Sequence, residues 1–322
     1  MPLNNPLLPL LAQSPFIVLD GALATELEAR GCDLNDTLWS AKVLLENPES
    51  VYQVHLDYFR AGAQCAVTAS YQATPAGFAA SYQATPAGFA ARGMNEAQAT
   101  ALIKQSVELA QRARTDFLAE RPDSGALLIA GSVGPYGAYL ADGSEYRGDY
   151  TLSQAAYCDF HRPRMAALVE AGVDLLACET LPSFAETRAL VALLAECPDT
   201  TAWFSFTLRD SHHLSDGTPL EDVVALLDGH DQVLAIGVNC IAPEQATAAL
   251  QTLHGMTTLP LVVYPNSGET YDAQTKCWTA GGQACDSLDG YLDDWLCAGA
   301  RLIGGCCRTT PSDIALLAQR QR

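Results

Sequence analysis

Lysine is nearly missing from this chain. Among 322 residues there are three, Lys42, Lys104 and Lys276. None of them ends an apolar run, which argues against a Schiff-base aldolase. Positive charge is scarce altogether: 18 lysines and arginines stand against 37 aspartates and glutamates, for a net charge of -19. Such a surface repels phosphates and excludes nucleic acid as a partner. It favours cationic ligands, although solubility alone accounts for it equally well. No apolar run reaches the length of a membrane span. The apolar start, Pro2–Leu11, lacks a basic region and carries internal prolines, so it does not read as a secretory signal. No Pro/Ser-rich linker divides the chain, and no GxGxxG turn follows the first strand candidate, which weakens dinucleotide binding. The histidines form no ligand set, and His212-His213 reads as part of an exposed polar loop.

Cysteine, in contrast, is plentiful, with eleven residues. Without a secretory signal these point to a reducing cytosol, where they serve as core residues, metal ligands or reactive thiols rather than disulfides.

One phrase recurs in diverged form: a helical stretch, then Ala-Gly, then an apolar run. It is seen in "FRAGAQCAVTAS", "VEAGVDLLACET" and "LCAGARLIGGCC". Gly62, Gly172 and Gly299 read as residues that end a helix in the left-handed region. The runs after them show no polar alternation, as expected of parallel strands covered on both faces. Further strand candidates lie at 16–20, 126–132, 202–208, 233–240 and 259–265. Helical patterns such as Asn95–Leu118, Leu152–Ala171 and Phe184–Cys197 separate them. Eight strands alternating with helices predict an α/β fold, a (β/α)8 TIM barrel formed as a single domain over 1–322.

In such a barrel the chemistry sits at the C-terminal strand ends. Seven residues past Gly172 lies Glu179, and seven past Gly299 lies Cys306; both belong to the rim. Asp20 ends the first strand and Asn239-Cys240 the sixth. Cys240, Cys306 and Cys307 can therefore converge with two carboxylates, Asp20 and Glu179. Three thiols and an open position suit catalytic zinc. They are equally well read as small buried core residues. Neighbouring cysteines bind one ion only if the strand has ended before them, which Gly304-Gly305 permits. Cys65 and Cys178 read as core.

The segments "VLDGALATELEARG", "SVGPYGAYLADGSEYRGDY", "ACETLPS", "IGVNC", "YPNSGE" and "IGGCC" together resemble the homocysteine S-methyltransferase family over almost the whole chain. The "LADGSEYRGDY" loop resembles the branch that uses S-methylmethionine or S-adenosylmethionine rather than betaine or folate. The resemblance implies one Zn2+ held by Cys240, Cys306 and Cys307, with the homocysteine sulfur as fourth ligand. It implies that Asp20 and Glu179 hold the substrate ammonium, and that Asn239 supports the site or occupies the metal when substrate is absent. It assigns the segments Ser132–Tyr136 and Asp142–Tyr146 to the sulfonium methyl donor without individual roles; separately, an acidic face and aromatic residues such as Tyr136 and Tyr146 would favour a cationic donor. Two other readings stand beside it. One is a phosphate-binding barrel using the "IGGCC" turn, opposed by the acidic mouth and the missing lysines. The other is a thiol redox sensor or metal-binding protein built on Cys306-Cys307, opposed by the separate Cys240.

One feature departs from the family. Ser70–Ala80 recurs letter for letter as Ser81–Ala91, in the second connection between strand and helix. Thr74-Pro75 and Thr85-Pro86 each read as a helix start, which predicts two short helices in series, with the first copy supplying the residues next to the strand. A surface connection tolerates the added length.

Overall fold

A computed structural model of the chain describes residues 3–32, 34, 40–76, 95–272, 277–279 and 287–321. Eight strands form one parallel sheet: β1 (Ile17–Val18), β2 (Cys65–Val67), β3 (Leu128–Val133), β4 (Leu175–Leu181), β5 (Ala202–Phe206), β6 (Val233–Asn239), β7 (Leu261–Tyr264) and β8 (Ala300–Ile303). Each strand pairs with its neighbours in chain order, and β1 pairs with β8. A bridge between Leu19 and Cys65 joins β1 to β2 and closes the ring. The main helices of the outer layer are α1 (Pro48–Ala61), α2 (Glu96–Glu120), α3 (Gln154–Glu170), α4 (Phe184–Ala195), α5 (Leu220–Leu227), α6 (Pro243–His254), α7 (Leu292–Cys297) and α8 (Pro311–Gln319). This is the expected (β/α)8 barrel. Among the described residues, no helix is long and apolar enough to cross a membrane.

The joints behave as the sequence predicts. Gly62, Gly172 and Gly299 have φ of 110°, 82° and 92°, values that side chains rarely adopt. The predicted helices match α2, α3 and α4 within two residues at each end. The ladder of β2 ends at Val67, ahead of the expected Thr68–Ser70, because the chain turns through 69–72. Two antiparallel hairpins were not anticipated, at Leu208–Asp210 with His213–Leu214 and at Thr270–Asp272 with Cys277–Thr279. A helical turn starts at Pro75 as expected. The second copy of the repeat and the helix start at Thr85-Pro86 lie outside the described residues.

The strands carry two apolar layers. Leu128, Ala130, Leu175, Ala177, Trp203, Ala235, Val262 and Leu302 pack in a cluster separate from the one containing Ile129, Leu176, Cys178, Phe204, Ile236 and Val263. Alternate residues of one strand fall in different clusters, as a strand covered on both faces requires. The first cluster fills the barrel interior and the second lies under the helices. Cys65 and Cys178 are both buried core residues. Gly237 is required by close approach: a Cβ there would overlap the Val262 carbonyl across the β6–β7 ladder.

Candidate active site

The period-two alternation that fills the interior also builds its upper layer. Two residues beyond Ala130, Ala177, Trp203, Gly237 and Val262 come Ser132, Glu179, Ser205, Asn239 and Tyr264. All five are buried. The interior is thus apolar below and polar at the C-terminal ends of the strands. Ser132 Oγ donates to Glu179 Oε1. Tyr264 Oη sits 2.5 Å from Ser205 Oγ and accepts from Trp203 Nε1 at 3.0 Å. Asn239 does not point its amide at the sulfurs: Nδ2 donates to Thr180 Oγ1 and Oδ1 accepts from Thr180 N, both at 2.8 Å. Thr180, the partner in both bonds, has a φ of 59°.

Asp20 and Glu179 are within electrostatic reach of each other. Asp20 Oδ2 accepts from Val67 N at 2.9 Å. Burial pushes its carboxyl well above the usual range; the Val67 bond pulls it back, and the Glu179 charge adds to the rise. Burial raises Glu179 to about 7, against the bonds from Ser132 and Tyr264, and the Cys240 charge adds to it. Two buried carboxyls whose ionisation is disfavoured stand near each other at the strand ends, and a nearby positive charge would favour their ionised forms.

The three sulfurs meet as the rim placement predicts. Cys240 Sγ lies 2.9 Å from Cys306 Sγ and 3.4 Å from Cys307 Sγ, and all three lie within 4.8 Å of one another. All three cysteines are free thiols. The strand has ended at Ile303, so Cys306 and Cys307 follow turn geometry rather than strand alternation. Gly304 and Gly305 make this possible: a Cβ on Gly304 would crowd Leu19 and Asp20, and one on Gly305 would collide with Thr309. Cys306 N donates to Pro265 O at 2.7 Å, and Cys240 N to Tyr264 O at 3.1 Å. Cys240 is held well down by the thiol donors Cys306 and Cys307, whose own protons are correspondingly harder to remove.

The donor set fits zinc. Tetrahedral sulfur ligands at about 2.3 Å from the metal stand roughly 3.8 Å apart, so these thiols need to spread by only about an ångström. The same turn does not suit phosphate. The amides of Gly304, Gly305 and Cys306 donate to Val263 O, Asp20 O and Pro265 O, which leaves none of them to cradle an anion.

The connection after β3 crosses the mouth. It contains the short helices Tyr136–Leu140 and Ser144–Arg147. Tyr146 Oη lies 3.5 Å from Cys240 Sγ. The Tyr136 ring packs instead against Tyr139, Tyr150 and Phe160, with centroids 5.0–5.7 Å away.

A buried network behind this connection escaped the sequence reading. Arg164 donates to Tyr71 O at 2.6 Å and to Gly134 O at 2.5 Å, so it clasps the loops after β2 and β3. It also donates to His161 Nδ1 at 2.8 Å, which leaves the proton on Nε2 to be donated to Glu186 Oε1 at 2.7 Å. Glu186 further accepts from Tyr136 N at 2.6 Å and Tyr150 Oη at 2.5 Å. Burial lowers Arg164 only to about 10, so it stays charged opposite Glu186. No local spacing signals such a set; only the packing of α3 against α4 brings it together.

The family model for homocysteine S-methyltransferase matches residues 17–321. The chain is 67% identical over 317 residues to the homocysteine S-methyltransferase of Escherichia coli, covering 98% of this chain and 99% of that one. It is 52% identical over 318 residues to a homocysteine S-methyltransferase of Bacillus subtilis, covering 98% and 97%. The crystal structure of the Escherichia coli homocysteine methyltransferase in its metallated form superposes with a TM-score of 0.87 at 64% identity, covering 98% of this chain and all of that one. The chain belongs to the homocysteine S-methyltransferase family.

Proposed function

We propose that this enzyme transfers a methyl group from a sulfonium donor, S-methylmethionine or S-adenosylmethionine, to the sulfur of homocysteine, giving methionine. The observation that carries the reading is the sulfur triad beside two buried carboxyls, in a chain that is 67% identical to a homocysteine S-methyltransferase.

Cys240, Cys306 and Cys307 are the residues to hold one zinc ion per chain. Zinc bound there supplies an electrophilic fourth position at which a substrate thiol is kept as thiolate near neutral pH. Asp20 and Glu179 accept the ammonium of homocysteine and fix where its sulfur points; the incoming charge lets both carboxyls ionise. Ser132 and Tyr264 hold the Glu179 carboxylate in place, and Asn239 steadies the neighbouring Thr180. Tyr146 covers Cys240, and with the connection after β3 it keeps water from the sulfurs. The substrate thiolate attacks the donor methyl carbon in line, the old carbon–sulfur bond breaks, and its electron pair stays on the donor sulfur. A neutral thioether leaves, so no side chain has to donate a proton.

The test is methionine formation from homocysteine and S-methylmethionine by the zinc-loaded enzyme, compared with Cys240→Ala. Activity that survives equally in the variant defeats the proposal.

A further inference from the structure

The mouth holds a third carboxyl that neither the sulfurs nor the homocysteine ammonium uses. Glu145 lies on the short helix Ser144–Arg147, where the connection after β3 reaches across the mouth. Thr207, one residue beyond β5, donates through Oγ1 to the Glu145 carbonyl at 2.7 Å. The following residue, Tyr146, places its hydroxyl 3.5 Å from Cys240 Sγ. Gly137 makes room for this crossing, since a Cβ there would fall 2.7 Å from Glu145 N.

Glu145 Oε2 is buried and accepts no hydrogen bond. A buried carboxylate oxygen without a donor is costly, and native folds rarely leave one. Burial, against a bond from its own backbone amide and with a smaller push from the Cys240 charge, raises this carboxyl to about 7; Tyr71 feels Glu145, Cys240 and Glu179 together. Glu145 therefore lies in the same electrostatic neighbourhood as the sulfurs and the ammonium receptor. The nearest arginine in sequence, Arg147, is exposed and committed to Asp149 Oδ2 and Asp142 O, both at 2.8 Å.

We propose that Glu145 is the specificity-determining acceptor for the α-ammonium of the methyl donor. This rests on the methyl-transfer reading above and deepens it: the donor class becomes sulfonium amino acids with a free amino group. A sulfonium carries no N–H and cannot satisfy a bare carboxylate oxygen, whereas an ammonium brings three donors. Acceptor and donor are both amino acids, so the mouth must place two ammonium groups. Asp20 and Glu179, each already held by protein donors, serve one; Glu145, with an oxygen still unmatched, serves the other. Tyr146, the next residue, reaches Cys240 Sγ at 3.5 Å, and both Glu145 and Glu179 feel the Cys240 charge, so both anchors neighbour the sulfurs where the methyl is passed.

The experiment compares parent and Glu145→Gln, full-length and zinc-loaded, by titration calorimetry with two ligands. One is S-methylmethionine. The other is 4-(dimethylsulfonio)butanoate, the same sulfonium with hydrogen in place of the α-ammonium. The variant should bind S-methylmethionine roughly ten- to a hundredfold more weakly, the size of a charge-assisted hydrogen bond. Its affinity for the butanoate should change by less than about threefold, within the scatter of neutral contacts. Unchanged binding of S-methylmethionine overturns the proposal, and so does an equal loss for both ligands. The parent gives a check that needs no variant: butanoate binding as tight as that of S-methylmethionine also overturns it. Failure of the parent to form methionine from S-methylmethionine and homocysteine is a different result; it removes the methyl-transfer reading itself.

Discussion

Replacing Glu179 with glutamine should make the ligand-free enzyme more stable and the substrate complex weaker. Glu179 is buried, and its carboxyl is raised from 4.5 to about 7 by that burial. A folded value above the unfolded one means that the contribution to stability is complete below pH 4.5 and is lost as pH rises to 7. Above pH 7 the ionised side chain costs about 3 kcal/mol, at about 1.36 kcal/mol per pH unit. The amide oxygen of glutamine still accepts from Ser132 and Tyr264, so most of that cost is relieved. For a chain of this length the gain corresponds to a rise in Tm of about 4 °C at pH 8, shrinking toward nothing at pH 4.5. Losing a charged acceptor for the substrate ammonium costs ~1.5–3 kcal/mol, hence a roughly ten- to hundredfold weaker homocysteine complex. Thermal melts of parent and variant from pH 5 to 8, with homocysteine titrations at pH 8, measure both effects. A variant less stable than the parent at pH 8, or a difference independent of pH, refutes the burial argument. Unchanged homocysteine affinity refutes the binding role.

Other perturbations separate site from scaffold. Cys240→Ala and Cys306→Ala should each lose zinc by elemental analysis while keeping the parent's circular dichroism, because the sulfurs lie at the mouth and not in the apolar interior. Arg164→Met leaves Glu186 buried without its charge partner and should lower stability by about 3–5 kcal/mol in urea unfolding. Gly237→Ala should destabilise more than an ordinary core exchange or prevent folding, because the new Cβ meets the Val262 carbonyl. Deleting Ser81–Ala91 should shift Tm and turnover only modestly, since doubling a flexible connection adds ~0.6 kcal/mol of closure entropy; a gain of many degrees would show that the repeat strains the barrel.

What was legible in the sequence follows the range of each signal. The αβ joints are local: Gly62, Gly172 and Gly299 end their helices in the left-handed region, and the apolar runs after them place three of the strands. Counting from those glycines placed Glu179 and Cys306 at the strand ends, and Asp20 and Cys240 came from reading where apolar runs stop. Period two alone would also have exposed Ser205 and Tyr264, each two residues beyond an interior apolar position, but their runs were read only as strands buried on both faces. The Arg164–His161–Glu186 network was beyond such reading. Its members lie on α3 and α4, and their carbonyl partners, Tyr71 and Gly134, belong to loops far away in sequence. Glu145 stood inside a segment marked for the donor, yet its role depends on where Thr207 and Cys240 meet the crossing loop. That is a property of barrel closure, not of spacing.

The central claim is that Cys240, Cys306 and Cys307 hold the metal at which the substrate sulfur is activated. Zinc-edge X-ray absorption on the full-length enzyme, with and without homocysteine, tests it most directly. The account predicts three sulfur neighbours and one lighter atom without substrate, and four sulfur neighbours with it. A shell dominated by oxygen and nitrogen, or three sulfurs that stay three when homocysteine is saturating, would contradict it.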